Sequence, residues 1–327
     1  MADELIPEPL DLAKVKSIDD LLRGMAKTAF TDRQLGEVAD VLEAMARDEE
    51  CFVVMTLSGA MTVARQGLIV TELIDRGIVN AVVSTGALMA HGLVGPGLSE
   101  HGLSEAGQEL NGMDDLMSAV LEGWDHNEVM CSYKLNHAIG AYLAKIAGGQ
   151  RGILKSAHEM GVPVFVPAFT DSEMGLDTAL DNRLRESTGR YKIRFDPFED
   201  LEHFAATLLR QKKLGIVTIG DGVPRSWAQQ FGPFCELRRR RLGENVPLKR
   251  YHYGLRICSA PSHDEENSWS NSVPPAEGGR FGEVYIDATV GLPLIVAAVF
   301  ERLGKKADKK EDKKGKGNRA GVKQGRS

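Results

Sequence analysis

The sequence predicts an α/β protein: one doubly wound, mainly parallel sheet with helices on both faces. Three observations carry the prediction. Six short runs rich in β-branched and other apolar residues recur along the chain, apolar at successive rather than alternate positions, as in strands buried on both faces. Stretches with helical spacing lie between them. Each run ends in small or acidic residues, which is the chemistry expected where an open parallel sheet meets a ligand.

Taken in order, CFVVMTLSGA ends in Ser58-Gly59-Ala60, and NAVVSTGA ends in Ser84-Thr85-Gly86-Ala87. VPVFVPAFTD ends in Thr170-Asp171, and LGIVTIGDG in Gly220-Asp221-Gly222. YGLRICSA closes on Ser259-Ala260, and GEVYIDAT on Asp287-Ala288-Thr289. Helices are expected from Met61 to Arg76, stopped by Gly77, from Phe198 to Arg210, and from Leu292 to Leu303. A further helix from Pro224 to Arg241 carries proline in its first turn. Its closing run, Arg238 to Arg241, suits the negative end of a helix dipole rather than a nucleic acid.

Composition bounds the class. The chain has 327 residues, 43% hydrophobic and 26% charged, a globular profile read as a single domain over 1–304. It holds no apolar run of about 18 residues, so no membrane-spanning helix is expected. The acidic start MADELIPEPLDLAKV lacks the apolar core of a secretory signal. Cys51, Cys131, Cys235 and Cys258 are widely spaced, three of them in or beside apolar runs. They read as buried free thiols in a reducing cytoplasm rather than disulfides or zinc ligands. Residues 305–327 carry ten Lys/Arg against three Asp/Glu, a surplus of seven that leaves the body at −13 within a net charge of −6. This tail has no apolar face and is expected to be disordered. The acidic body suits cationic ligands. No catalytic triad, phosphate-binding P-loop or metal-ligand spacing emerges.

The six tips share a logic. Glycine and alanine admit close approach of a ligand, hydroxyls and backbone amides bind phosphate, and carboxylates bind ribose hydroxyls. They point to a nucleotide crevice. The GxGxxG fingerprint is absent, so a standard dehydrogenase is excluded.

At FVPAFTDSEMG, TIGDGVPRSWAQQ and SVPPAEGGRFGEVYIDATVGLPLIVAAVFERL the chain resembles the deoxyhypusine synthase family, in its bacterial deoxyhypusine synthase-like branch. TLSGAMTVA and VVSTGALMAHGL fall in the same order, and the resemblance runs from about Leu10 to Leu303. It implies a Rossmann-like fold, bound NAD, and a homotetramer with sites at subunit interfaces. It also implies a reaction on spermidine in which NAD takes a hydride from the carbon beside an amine nitrogen. The imine passes to a lysine, then to an acceptor amine, and is reduced.

Carried over residue by residue, Ser58, Gly59, Ala60 and Thr62 match one cofactor-binding segment, and Thr85, Gly86 and Ala87 another. Asp171 matches the acid of the PA-x-TD motif at the cofactor. Ser259, Ala260, Asp287 and Ala288 match further cofactor contacts. Glu265 and Trp269 match the acid and indole that hold the cationic amine, a pairing in which charge and the ring face both attract an ammonium.

The chain departs from the family in six places. The family's SWGK is Ser268-Trp269-Ser270-Asn271 here, so Asn271 stands for the nucleophilic lysine, and an amide nitrogen cannot form an imine. The preceding loop, SAPSHDEENSW, is short. A second substrate acid aligns with Leu176, with Asp177 adjacent. The central glycine of a GGG motif is Asp221, whose charge either repels a pyrophosphate or grips a ribose. A family histidine aligns near Ser226, and His91 takes an acidic position where an imidazole suits proton transfer. Lys134 and Lys155 are the lysines weighed as stand-ins, with nothing in the sequence that places them at the site.

Two readings follow. One is an NAD-dependent aminoalkyl transferase acting on polyamines, with a small amine as acceptor. In it Asn271 positions an amine or water, and Glu265, Trp269 and Asp177 hold the substrate. The other is a non-catalytic homologue that keeps the fold as a scaffold or nucleotide sensor.

Overall fold

The computed structural model describes residues 6–59, 61–93, 113–125, 127–259 and 276–320, with 91–93, 113–114 and 306–320 described by their backbone alone. Strands β1 (Cys51–Leu57), β2 (Ala81–Ser84), β3 (Val164–Phe165), β4 (Lys213–Ile219), β5 (Tyr253–Cys258) and β6 (Arg280–Tyr285) form one sheet in the order β3-β2-β1-β4-β5-β6. Every neighbouring pair is parallel. All six expected runs are therefore strands of one sheet, in the doubly wound order of Rossmann-like proteins.

The helices are α1 (Ile18–Met25), α2 (Phe30–Arg47), α3 (Gly67–Asp75), α4 (Gly86–Leu93), α5 (Met113–Glu122), α6 (Ser132–Ile146), α7 (Ile153–Met160), α8 (Glu173–Ser187), α9 (Pro197–Leu209), α10 (Val223–Gln229), α11 (Phe231–Leu242) and α12 (Ala288–Ala320). Strand residues alternate between two buried clusters. Val53, Met55, Leu57, Val217 and Ile257 pack with residues of α2, α3, α7 and α12. Val54, Leu214, Ile216 and Phe165 pack with Phe204, Ala228 and Phe231 of α9, α10 and α11. Burial on both faces is why these strands read as continuous apolar runs. No helix among the described residues is long and apolar enough to cross a membrane.

Two helix expectations need correction. Met61 to Gln66 is a set of turns, and α3 starts only at Gly67. The segment is committed to tertiary contacts: Thr62 Oγ1 donates to the Leu88 carbonyl at 3.1 Å, and Gln66 Nε2 to that of Thr289 at 2.7 Å. Arg65 adopts φ +59°, which breaks helical continuity. The stretch from Pro224 to Arg241 divides at Gln230 into α10 and α11. The arginine run closes α11 as expected, before Gly243 in the left-handed conformation. The four cysteines are free, with Cys131, Cys235 and Cys258 buried. Burial pushes the Cys51 and Cys131 thiols up to about 12.

Candidate functional site

Because the strands are all parallel, their carboxyl ends lie along one edge. The chain runs outward through β1, β2 and β3, then returns to place β4 on the other side of β1. The sheet order reverses between β1 and β4, the position where doubly wound sheets open a crevice.

Hydrogen bonds just past the strands fix these tips against one another. Ser58 donates to the Ile219 carbonyl through its N–H at 3.0 Å and its Oγ at 3.1 Å. Gly220 N donates to Ile257 O, and Ile286 N to Cys258 O, each at 2.8 Å. Gly59 and Gly222 have φ of +86° and +95°, and a Cβ at either would meet nothing within 4 Å among the described residues. Among the described residues, room is therefore left beside Gly59 and Gly222, which flank the switch between β1 and β4.

At the next tip, Thr85 Oγ1 accepts from Leu88 N at 3.4 Å and caps the first turn of α4. A Cβ at Gly86 would come within 2.3 Å of Ser172 Cβ. Ser172 in turn caps α8 through Gly175 N and donates to Phe169 O at 2.7 Å. The room at Gly86 is thus filled by Ser172, and the hydroxyl of Thr62 is buried against α4 rather than open to a ligand. Ala87, Asp171 and Ser259 are exposed. Asp287 Oδ1 accepts from Thr289 N at 2.8 Å and Thr289 Oγ1 at 2.6 Å, capping α12, and these two bonds lower its pKa. Ala288 opens that helix.

The structure thus brings Ser58, Gly59, Thr85, Gly86, Ala87, Asp171, Asp221, Ser259, Asp287 and Ala288 to one edge. Asp177 lies on α8, the helix that follows the β3 tip, beside Leu176, which is 61% exposed. Ala60, Ala260, Glu265, Trp269 and Asn271 lie outside the described residues, and His91 is described only as backbone of α4. The stand-in lysines are occupied. Lys155 Nζ donates to the carbonyls of Gly148 and Gln150, at 2.5 and 3.0 Å. Lys134 Nζ donates to Val129 O and to Glu199 at 2.7 Å. Burial works against its charge, but Glu199 outweighs it and holds the amine above its usual range.

The composition of the tips gave no warning of the charge network around Asp221. Arg256, 1% exposed in the middle of β5, pairs with the Asp221 carboxylate. Arg225 of α10, 3% exposed, reaches the other carboxylate oxygen at 3.4 Å. The far nitrogen of Arg256 is 3.7 Å from Glu283 on β6, which accepts from Tyr285 Oη at 2.7 Å. That bond is the main reason the Tyr285 phenol is pushed up to about 12. Burial opposes the charge on Arg256, and Asp221 more than restores it. One signal was legible: a lone arginine inside the apolar run YGLRIC has to be paired once buried. Among the described residues, no group of three His, Cys, Asp or Glu is placed to hold a metal.

Comparison with known proteins agrees with this architecture. The deoxyhypusine synthase family model matches residues 20–103 and 101–299. The chain is 27% identical over 325 residues to "Probable deoxyhypusine synthase 2" of Methanosarcina mazei, covering 90% of this chain and 89% of that one. It is 25% identical to the "Deoxyhypusine synthase-like protein" of Chlorobaculum parvum, covering 86% of each. A crystal structure from Entamoeba histolytica named for the same enzyme shares the fold, with a TM-score of 0.61 over 90% of this chain and 96% of that one, at 13% identity. With one family model matching residues 20–103 and 101–299, most of the chain, the chain belongs to the deoxyhypusine synthase family.

Proposed function

We propose that the protein is an NAD-dependent aminoalkyl transferase of polyamine metabolism, moving an aminobutyl-type group from a donor such as spermidine to a small amine. The observation that carries this reading is the shared edge: small, hydroxyl and acidic residues that follow the six strands lie along it, with room beside Gly59 and Gly222 among the described residues. These residues fit a dinucleotide. Ser259 offers an exposed hydroxyl, Thr85, whose oxygen accepts from Leu88, keeps its proton to donate, and Ser58, whose proton goes to the Ile219 carbonyl, can only accept. Asp171 and Asp287 stand exposed to accept ribose hydroxyls. Two guanidiniums offset the charge of Asp221, so it does not make the tip of β4 repel phosphates.

When bound, NAD supplies the acceptor for a hydride from the carbon beside an amine nitrogen, and later the donor that reduces the imine. The other steps fall to this chain. Glu265 and Trp269 hold the cationic donor by charge and ring face, with Asp177 as a further anionic contact. His91 moves the proton released at nitrogen. Asn271 cannot store the imine covalently, so it orients the acceptor amine, which attacks the imine carbon directly; the bond from that carbon to the donor's original nitrogen then breaks, and the rest of the donor leaves as a free amine. Holding both amines in one crevice contributes several kcal/mol, up to roughly 7–11 at best. A small diamine meets that requirement more readily than a lysine on a folded protein. Sites shared between subunits of a homotetramer belong to this reading.

A second reading, a non-catalytic nucleotide-binding homologue, is favoured by two observations. Lys134 and Lys155 are engaged elsewhere, and an exposed leucine, Leu176, stands beside Asp177 in the position of a substrate acid. Calorimetric titration of NAD, with and without spermidine or putrescine, separates the readings. The transferase predicts NAD affinity that tightens with amine, NADH absorbance and exchanged amine products. Binding without turnover selects the second reading, and no binding removes the first.

A further inference from the structure

We infer that Arg256 and Arg225 are positioning residues that fix Asp221 as a hydroxyl acceptor, so that the tip of β4 takes a ribose rather than a phosphate or an ammonium. The inference rests on the nucleotide-binding reading above and deepens it.

The geometry begins with an anomaly. Asp221 sits between Gly220 and Gly222, both with positive φ, in a turn that needs glycine on either side but no acid between. Two arginines, each at least 97% buried, converge on its carboxylate from different elements, β5 and α10. Burying a guanidinium costs several kcal/mol unless it is well paired. A buried arginine in a central strand therefore implies a fixed partner, and Asp221 is that partner. Arg256 spans two acids, Asp221 and Glu283, so its position is set on both sides.

Charge then decides what the carboxylate can take from a ligand. Arg225, Arg256, Asp221 and Glu283 sum to zero, so the cluster offers no net attraction to a phosphate. A carboxylate already holding two guanidiniums also attracts a third cation weakly, because the ammonium would meet both positive charges at short range. A neutral O–H donor meets neither objection. An ionised carboxylate has about four acceptor sites. Oδ1 serves Arg225 and Oδ2 serves Arg256, which leaves a free direction on each oxygen. The side chain remains 41% exposed, beside Gly222, where a Cβ would meet none of the described residues within 4 Å. Two oxygens with one free direction each match the two adjacent hydroxyls of a ribose.

The test is calorimetric titration of the full-length protein with NAD and with two NAD analogues, each lacking the 2′ and 3′ hydroxyls of one ribose. Asp221→Ala is expected to weaken NAD binding about tenfold. The same substitution should change nothing for the one analogue whose missing hydroxyls Asp221 contacts. Arg256→Met should weaken NAD to a similar degree, and the double variant should be no weaker than Asp221→Ala alone, since Arg256 acts through Asp221. If Arg256→Met does not fold, Arg256→Lys keeps the charge without the fork and should still loosen NAD. Wild-type NAD affinity in Asp221→Ala, or an equal loss with NAD and both analogues, overturns the inference while leaving the transferase reading intact. Failure of the wild-type protein to bind NAD overturns that reading and this inference together.

Discussion

Ser58 and Gly220 are interlocked: a Cβ at residue 220 would come within 2.4 Å of Ser58 Oγ, which itself bonds the Ile219 carbonyl. This contact holds the tips of β1 and β4 in register where the sheet order reverses. Gly220→Ala must displace that hydroxyl and also place a side chain at φ +75°. The combined cost is about 2–4 kcal/mol, read as a lower urea midpoint with unchanged slope. Ser58→Gly should recover the steric part of that loss. No recovery would mean that backbone strain alone sets the penalty.

Asp171 and Asp287 end different strands and should respond differently to substitution. Asp171 has no side-chain partner among the described residues, so Asp171→Asn should leave stability within about 0.5 kcal/mol of wild type. Its effect should fall on NAD, weakening it about tenfold by calorimetry. Asp287 caps α12 through Thr289, so Asp287→Ala should also cost about 1 kcal/mol in denaturation. Equal melting behaviour of the two variants would contradict the capping role.

Acid lability is predicted from the junction of α1, α2 and α12. Arg302, 2% exposed on α12, donates to Asp19 at 2.6 Å and Asp40 at 2.7 Å, and lies 3.2 Å from Glu43. Burial raises the Asp19 pKa, but hydrogen bonds from Arg302 and Lys305 outweigh it and hold the carboxyl below its usual range. A depressed folded pKa contributes stability that is complete above the unfolded value of about 3.9 and is lost as pH falls through the folded value. Urea midpoints should therefore drop below about pH 4, and Asp19→Asn should flatten that slope. Arg302→Met should cost about 3 kcal/mol at neutral pH, because it leaves Asp19 buried with fewer partners.

The covalent step is open to chemical trapping. On the proposed reading, in which Asn271 takes the place of the family's lysine, borohydride added during incubation with NAD and spermidine should trap no adduct on the wild-type protein by mass spectrometry. Asn271→Lys should yield one at residue 271. An adduct on wild type would identify another lysine as the nucleophile and refute direct attack by the acceptor amine.

The sequence by itself determined the sheet. Runs apolar on both faces can be buried only between two helical layers, and all six became parallel strands whose small and acidic ends share one edge. Local pattern sufficed because strand burial is written into consecutive residues. Tertiary structure alone decided what each tip residue does. Thr62 and Gly86 carry the same local signature as Gly59, yet Thr62 is bonded to α4 and Gly86 faces Ser172, while a Cβ at Gly59 would meet none of the described residues. The charge of Asp221 was visible in the sequence and its sign of effect was not. That depended on Arg225, four residues on, and Arg256, 35 residues on, folding back onto the same carboxylate. Spacing along the chain does not encode such pairings, because they arise only when separate strands and helices converge on one end of the sheet.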